Sequence, residues 1–163
     1  MTSTILMADD DSAFALLVRH ALRKARIPAD LTVVHDGSEA IAYLAGEDSF
    51  ADRVTYPHPG LLLLDLNMPH VGGIAVLEWL RARPAFRSLP VAVLTSSNAF
   101  DDIERCQRLG CSSYFIKPIT LTALVEIIET ACEMISDRSH HRKPPQASIT
   151  PTSSFRGSEQ NGA

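Results

Sequence analysis

Asp9, Asp10 and Asp65 are the side chains of this sequence best placed to do chemistry, because each follows an apolar run. Asp9 and Asp10 come after Ile5-Leu6-Met7-Ala8, and Asp65 comes after Leu61-Leu62-Leu63-Leu64. Thr95 closes a further apolar run, and Lys117 follows another. Carboxylates brought within ~4 Å repel by about 4 kcal/mol per pair at an effective dielectric constant of about 20, so a cation must offset them. Oxygen ligands without cysteine or clustered histidine suit a hard ion, and magnesium is the expected cofactor. With the ion in place, one carboxylate can attack a phosphoryl group while the Thr95 hydroxyl and Lys117 ammonium bind its oxygens. The product is an aspartyl phosphate.

The elements that must bring these residues together are legible as an alternation. Strand-like runs at 4–8, 31–35, 61–65, 90–95 and 113–116 are separated by helical patterns, which predicts an α/β fold with a parallel sheet covered on both faces. Ser12 can cap the first helix, whose Phe14, Leu17, Val18, Ala21, Leu22 and Ala25 share one face before Pro28. Further helices are predicted at 38–45, 74–83, 100–109, where Gly110 stops the helix, and 121–136. Four consecutive leucines mark the third strand as buried on both sides, hence central. In a doubly wound sheet of order 2-1-3-4-5, ligands bind beyond the carboxyl ends of the strands where the order reverses, between strands one and three. That topology gathers Asp9, Asp10 and Asp65 into one pocket and opens Thr95 and Lys117 on the same rim.

Composition limits the remaining possibilities. The chain has 163 residues, 45% of them hydrophobic, with 15 Lys and Arg against 19 Asp and Glu, for a net charge of −4. This is enough for one domain at 1–136. Residues 137–163 carry only Ala147, Ile149, Phe155 and Ala163 as apolar side chains and read as a disordered C-terminal tail. The tail holds Arg138, Arg142, Lys143 and Arg156 against Asp137 and Glu159, so the folded part is the acidic part, which argues against nucleic acid or anionic lipid as its partner. No apolar run approaches the ~18 residues of a membrane span, and the start lacks the pattern of a signal peptide; a cytoplasmic protein is expected. Cys106, Cys111 and Cys132 match neither a disulfide framework nor a zinc site and read as free thiols in or near the core.

Four segments, each at a strand end, carry a resemblance: Ile5-Leu6-Met7-Ala8-Asp9-Asp10, Leu64-Asp65-Leu66-Asn67-Met68-Pro69, Leu94-Thr95-Ser96 and Tyr114-Phe115-Ile116-Lys117-Pro118. Together they resemble the receiver domain of two-component response regulators, over about residues 3–136. The resemblance implies a flavodoxin-like fold of five strands and five helices. It makes Asp65 the phosphoacceptor, Asp10 and Asp65 magnesium ligands, Asp9 a second acid acting through water, and Asn67 a ligand through its backbone carbonyl. Thr95 and Lys117 become the phosphate-sensing pair, Tyr114 the switch aromatic that follows Thr95, and the bond before Pro118 is expected to be cis. Asp11, Gly72 where an aspartate is common, and the long connection 47–60 depart from the pattern. That connection is similar to those of stand-alone receivers paired with phytochrome-type histidine kinases.

The implied partners are a sensor histidine kinase, with that photoreceptor type as the suggested kind, and a downstream or phosphotransfer protein. A homodimer through helix four, strand five and helix five is also implied. The expected role is a phosphorylation-controlled signalling switch rather than a turnover enzyme. A haloacid-dehalogenase-type phosphohydrolase would need a second aspartate where Asn67 stands, for acid catalysis. A receiver-like adaptor that works without phosphate would not need the complete acid, threonine and lysine set.

Overall fold

The computed structural model describes the backbone of residues 2–140 and side chains through residue 135. Five strands, β1 (Ser3–Ala8), β2 (Ala29–Val34), β3 (Leu61–Leu64), β4 (Val91–Thr95) and β5 (Ser113–Ile116), form one parallel sheet in the order β2-β1-β3-β4-β5. Helices α1 (Ser12–Lys24), α2 (Gly37–Ala45), α3 (Gly73–Arg81), α4 (Phe100–Arg108) and α5 (Leu121–His140) alternate with them. This is the covered parallel sheet the run pattern predicts, in the flavodoxin-like arrangement the resemblance implies.

Period-two alternation divides the core into two layers. Leu62 and Leu64 of β3 point to the side of Leu6, Val91, Val93 and the α2–α3 residues Leu44, Val76, Leu77 and Leu80. Leu61 and Leu63 point the other way, to Ile5, Met7 and Leu94, with Val18 and Leu22 of α1 and Leu124 and Ile128 of α5. All four leucines are at most 2% exposed, as a central parallel strand requires.

The long connection after α2 is packed. Phe50 and Tyr56 meet the buried Tyr43 ring, with centroids 5.2 and 6.0 Å away. The Arg53 guanidinium donates to the carbonyls of Tyr43 and Leu44, both at 2.8 Å, closing the C-terminal end of α2. The cysteines are free thiols, with Cys106 buried and Cys111 and Cys132 half-buried.

Several local expectations change. Asp11, not Ser12, caps α1: its side chain accepts from the Phe14 N–H at 3.0 Å, and Ser12 is already helical. A carboxylate at this position also meets the positive end of the helix dipole. Helix α5 runs to His140, four residues beyond the expected end, since no glycine or proline interrupts 136–140. The first residues assigned to the tail are therefore helical; the rest of it, 141–163, lies outside the described residues. The bond before Pro118 is trans, and no cis peptide bond occurs among the described residues. Trans is the form an X-Pro bond favours by about 0.5–1 kcal/mol unless tertiary contacts reverse it. No helix among the described residues is long and apolar enough to cross a membrane.

Candidate phosphoryl and metal site

Continuation of the sheet ladder places the acids. The Asp9 N–H donates to the Val34 carbonyl and the Asp65 N–H to the Ala8 carbonyl, both at 3.0 Å, so the two residues leave β1 and β3 side by side. On the other flank the Lys117 N–H donates to the Thr95 carbonyl at 2.8 Å, setting the end of β5 beside that of β4. One oxygen from each of Asp9, Asp10 and Asp65 lies within 4.8 Å of the others. Asp9 is 1% exposed and Asp65 5%, whereas Asp10 faces solvent.

Lys117 reaches into this group. Its Nζ lies 2.7 Å from Asp9 Oδ2 and donates to Asp65 Oδ2 at 3.3 Å. Burial opposes the ammonium charge, but pairing with Asp9 and the charge of Asp65 outweigh it, and the Lys117 pKa is raised. Burial likewise pushes the Asp9 carboxyl up, partly countered by Lys117 and by the Asp11 N–H, which donates to Asp9 Oδ1 at 2.9 Å.

The donor set fits a hard divalent cation. All three side chains offer oxygen, and Asp9 Oδ2 is buried with no hydrogen bond beyond its ion pair among the described residues. When ionised, three carboxylates against one ammonium leave two negative charges, the amount a divalent cation neutralises. The exposed Asp10 keeps one side open to water.

The β3–α3 turn is built around Asp65. The Asn67 N–H donates to Asp65 Oδ1 at 3.3 Å, which sets the Asn67 backbone beside the carboxylate. His70 adopts the left-handed region, φ 62°, uncommon for a residue with a Cβ. Gly73 begins α3 directly against Asp65, where an added Cβ would overlap the Asp65 carbonyl oxygen.

Thr95 is fully buried at the end of β4. Its Oγ1 accepts from the Ser97 N–H at 3.4 Å, and the half-buried Tyr114 donates its hydroxyl to the Ser97 carbonyl at 2.8 Å. Tyr114 is thus tied to the loop after Thr95. The Ser97 hydroxyl in turn donates to Asp102 of α4 at 2.5 Å.

All the acids, Thr95 and Lys117 therefore meet at one end of the sheet. Two contributors have roles here that the sequence did not reveal. Asp11, read as a surplus acid, bridges Asp9 to the first turn of α1; its place three residues before Phe14 is the available signal. Ser97 joins Thr95, Tyr114 and α4, and nothing local in sequence distinguishes it from a loop serine.

Comparison with known proteins agrees with this geometry. The family model described as the response regulator receiver domain matches residues 5–129. The chain is 32% identical over 125 residues to the response regulator Rcp1 of Synechocystis sp. (strain ATCC 27184 / PCC 6803 / Kazusa), covering 77% of this chain and 83% of Rcp1. Among solved structures, the phosphorylated cyanobacterial phytochrome response regulator RcpA superimposes with a TM-score of 0.76 at 32% identity, covering 85% of this chain and 96% of that one. The Mn(2+)-bound form of Rcp1 gives a TM-score of 0.72 at 30% identity, with 80% and 92% covered.

Proposed function

Because the chain belongs to the response regulator receiver domain family, we propose that Asp65 accepts a phosphoryl group from a phosphohistidine of a sensor kinase. The observation that carries this reading is the Asp65 carboxylate, nearly buried beyond the central strand and faced by Lys117 and two further acids. An Asp65 oxygen attacks phosphorus, the P–N bond breaks, and the histidine nitrogen departs with the bonding pair and takes up a proton.

Lys117 moves from the carboxylates to a phosphoryl oxygen, and the Thr95 hydroxyl donates to another. Tyr114, bonded to the Ser97 carbonyl, passes any shift of the β4–α4 loop to the surface. Magnesium is the expected ion, held by Asp10, Asp65 and the Asn67 carbonyl, with Asp9 acting through water. When bound it screens the charge that gathers on the transferring oxygens.

A donor related to phytochrome kinases is suggested by the names of the similar proteins. Such a donor would place this chain in the cytoplasm. Signal output through protein contacts, including a second copy on the α4–β5–α5 face, is supported by Phe100 at 75% and Ile116 at 43% exposure. The dehalogenase-type reading lacks an acid at Asn67, and the adaptor reading leaves the buried acid–lysine set without a purpose.

The test is intact mass after acetyl phosphate or phosphoramidate with magnesium, for wild type and Asp65→Asn. Wild type is expected to gain about 80 Da, one phosphoryl group on the nucleophile, and to lose the gain when the metal is chelated. Equal labelling of the Asn variant would overturn the assignment. Sustained turnover of phosphomonoesters would favour the hydrolase.

A further inference from the structure

Lys117 Nζ has a third neighbour besides Asp9 and Asp65: it sits over the Phe14 ring, 4.5 Å from the centroid. The contacts close a circuit. Asp11 N–H donates to Asp9 Oδ1 at 2.9 Å, Asp11 Oδ1 accepts from Phe14 N–H at 3.0 Å, the Phe14 ring faces Lys117, and Lys117 returns to Asp9 at 2.7 Å. The N-cap of α1 thus holds the backbone of the residue whose ring faces the ammonium.

We propose that Phe14 is a positioning residue for the phosphoryl-binding ammonium of Lys117, holding it against the acid pair through its ring face. This rests on the phosphoacceptor reading of Asp65. Phe14 is 8% exposed and the Lys117 side chain 14%, so little water competes for the ammonium there. In such a place the negative face of an aromatic ring attracts a cation strongly. A carboxylate does so through directed hydrogen bonds that must break before Lys117 can turn to a phosphoryl oxygen. A ring face attracts without that directional demand, so the ammonium stays in the pocket as it changes partner.

Phe14 also packs in the core with α1 and α5, so a purely structural role has to be separated. The full-length chain is compared as wild type, Phe14→Leu, which keeps apolar bulk without a ring, and Phe14→Tyr, which keeps the ring face. Uptake rate from acetyl phosphate or phosphoramidate is measured at saturating magnesium, alongside magnesium affinity. The NMR shifts of the Lys117 Cε protons report the ring current directly.

The Leu variant is expected to lose uptake on the order of tenfold and to lose the upfield shift, with magnesium affinity held within about twofold; the Tyr variant keeps both near wild type. Wild-type uptake with Leu within about twofold of it, or Tyr falling as far as Leu, overturns the inference alone, since cation attraction follows the ring face. No uptake by wild type from either donor removes the phosphoacceptor reading as well.

Discussion

Helices α1 and α4 each follow a strand that ends in the acid pocket, yet they are held in different ways. Helix α1 buries Phe14, Ala15, Val18, Ala21 and Leu22 along its length and is capped by Asp11, itself bonded to Asp9. Helix α4 buries Cys106 alone. It is held at its ends: the Ser97 hydroxyl bonds Asp102 in the first turn, and the Arg81 guanidinium donates to the carbonyls of Leu109 and Gly110 at 2.8 Å after the last. Gly110, at φ 72°, completes a Schellman turn in which the Cys111 N–H donates to the Cys106 carbonyl. A helix welded along its face moves only if the core repacks. A helix tied at its ends can shift when one tie changes, and the tie at Ser97 also reaches Thr95 and Tyr114. This contrast predicts that α1 serves as frame and α4 as the responsive part.

The largest expected contrast is in stability. Leu22→Ala should cost about 2–5 kcal/mol in denaturant unfolding, the range for a buried leucine. Ile103→Ala on α4, half-buried, should cost well under this, and equal losses would break the comparison.

Next comes a pH signature of the one buried side chain of α4. Burial pushes the Cys106 thiol up to about 12 from an ordinary 9. The folded state then holds a proton that the unfolded chain releases, so this contribution is complete below pH 9 and is lost as pH rises toward 12. Melting temperature should fall across that window, and Cys106→Ala should flatten the fall; an unchanged slope would locate it elsewhere.

A smaller effect is expected at the end of α4. Gly110→Ala meets no clash, its nearest neighbour being Arg81 Nε at 3.6 Å, so the cost is that of a left-handed alanine, about 1 kcal/mol. Amide exchange should quicken in α4 and not in α1.

The smallest is Glu78→Gln, which removes the 2.8 Å ion pair from α3 to Arg105 of α4. Both side chains are about half exposed, so the stability change should stay below about 0.5 kcal/mol and vanish in high salt. A larger loss would mean that α4 is fastened along its face after all.

The sequence by itself determined the frame of this protein. Four leucines in a row, set between turn signals, mark a strand covered on both sides, and the repeated alternation of strand and helix points to a parallel sheet wound in one hand. Acids, threonine and lysine at the ends of those runs then had to meet at one edge, because every parallel strand ends there. These are signals of period and position, carried by near neighbours in the chain.

What the tertiary structure alone decided is where side chains point once distant segments meet. Lys117 approaches Asp9, at 2.7 Å, more closely than Asp65, at 3.3 Å. Tyr114 found the Ser97 carbonyl, and the Phe14 ring came to face the Lys117 ammonium. Each of these outcomes is a choice among rotamers separated by about 1 kcal/mol in the isolated chain. Contacts from elements tens of residues away are what decide such choices, and no local pattern records them.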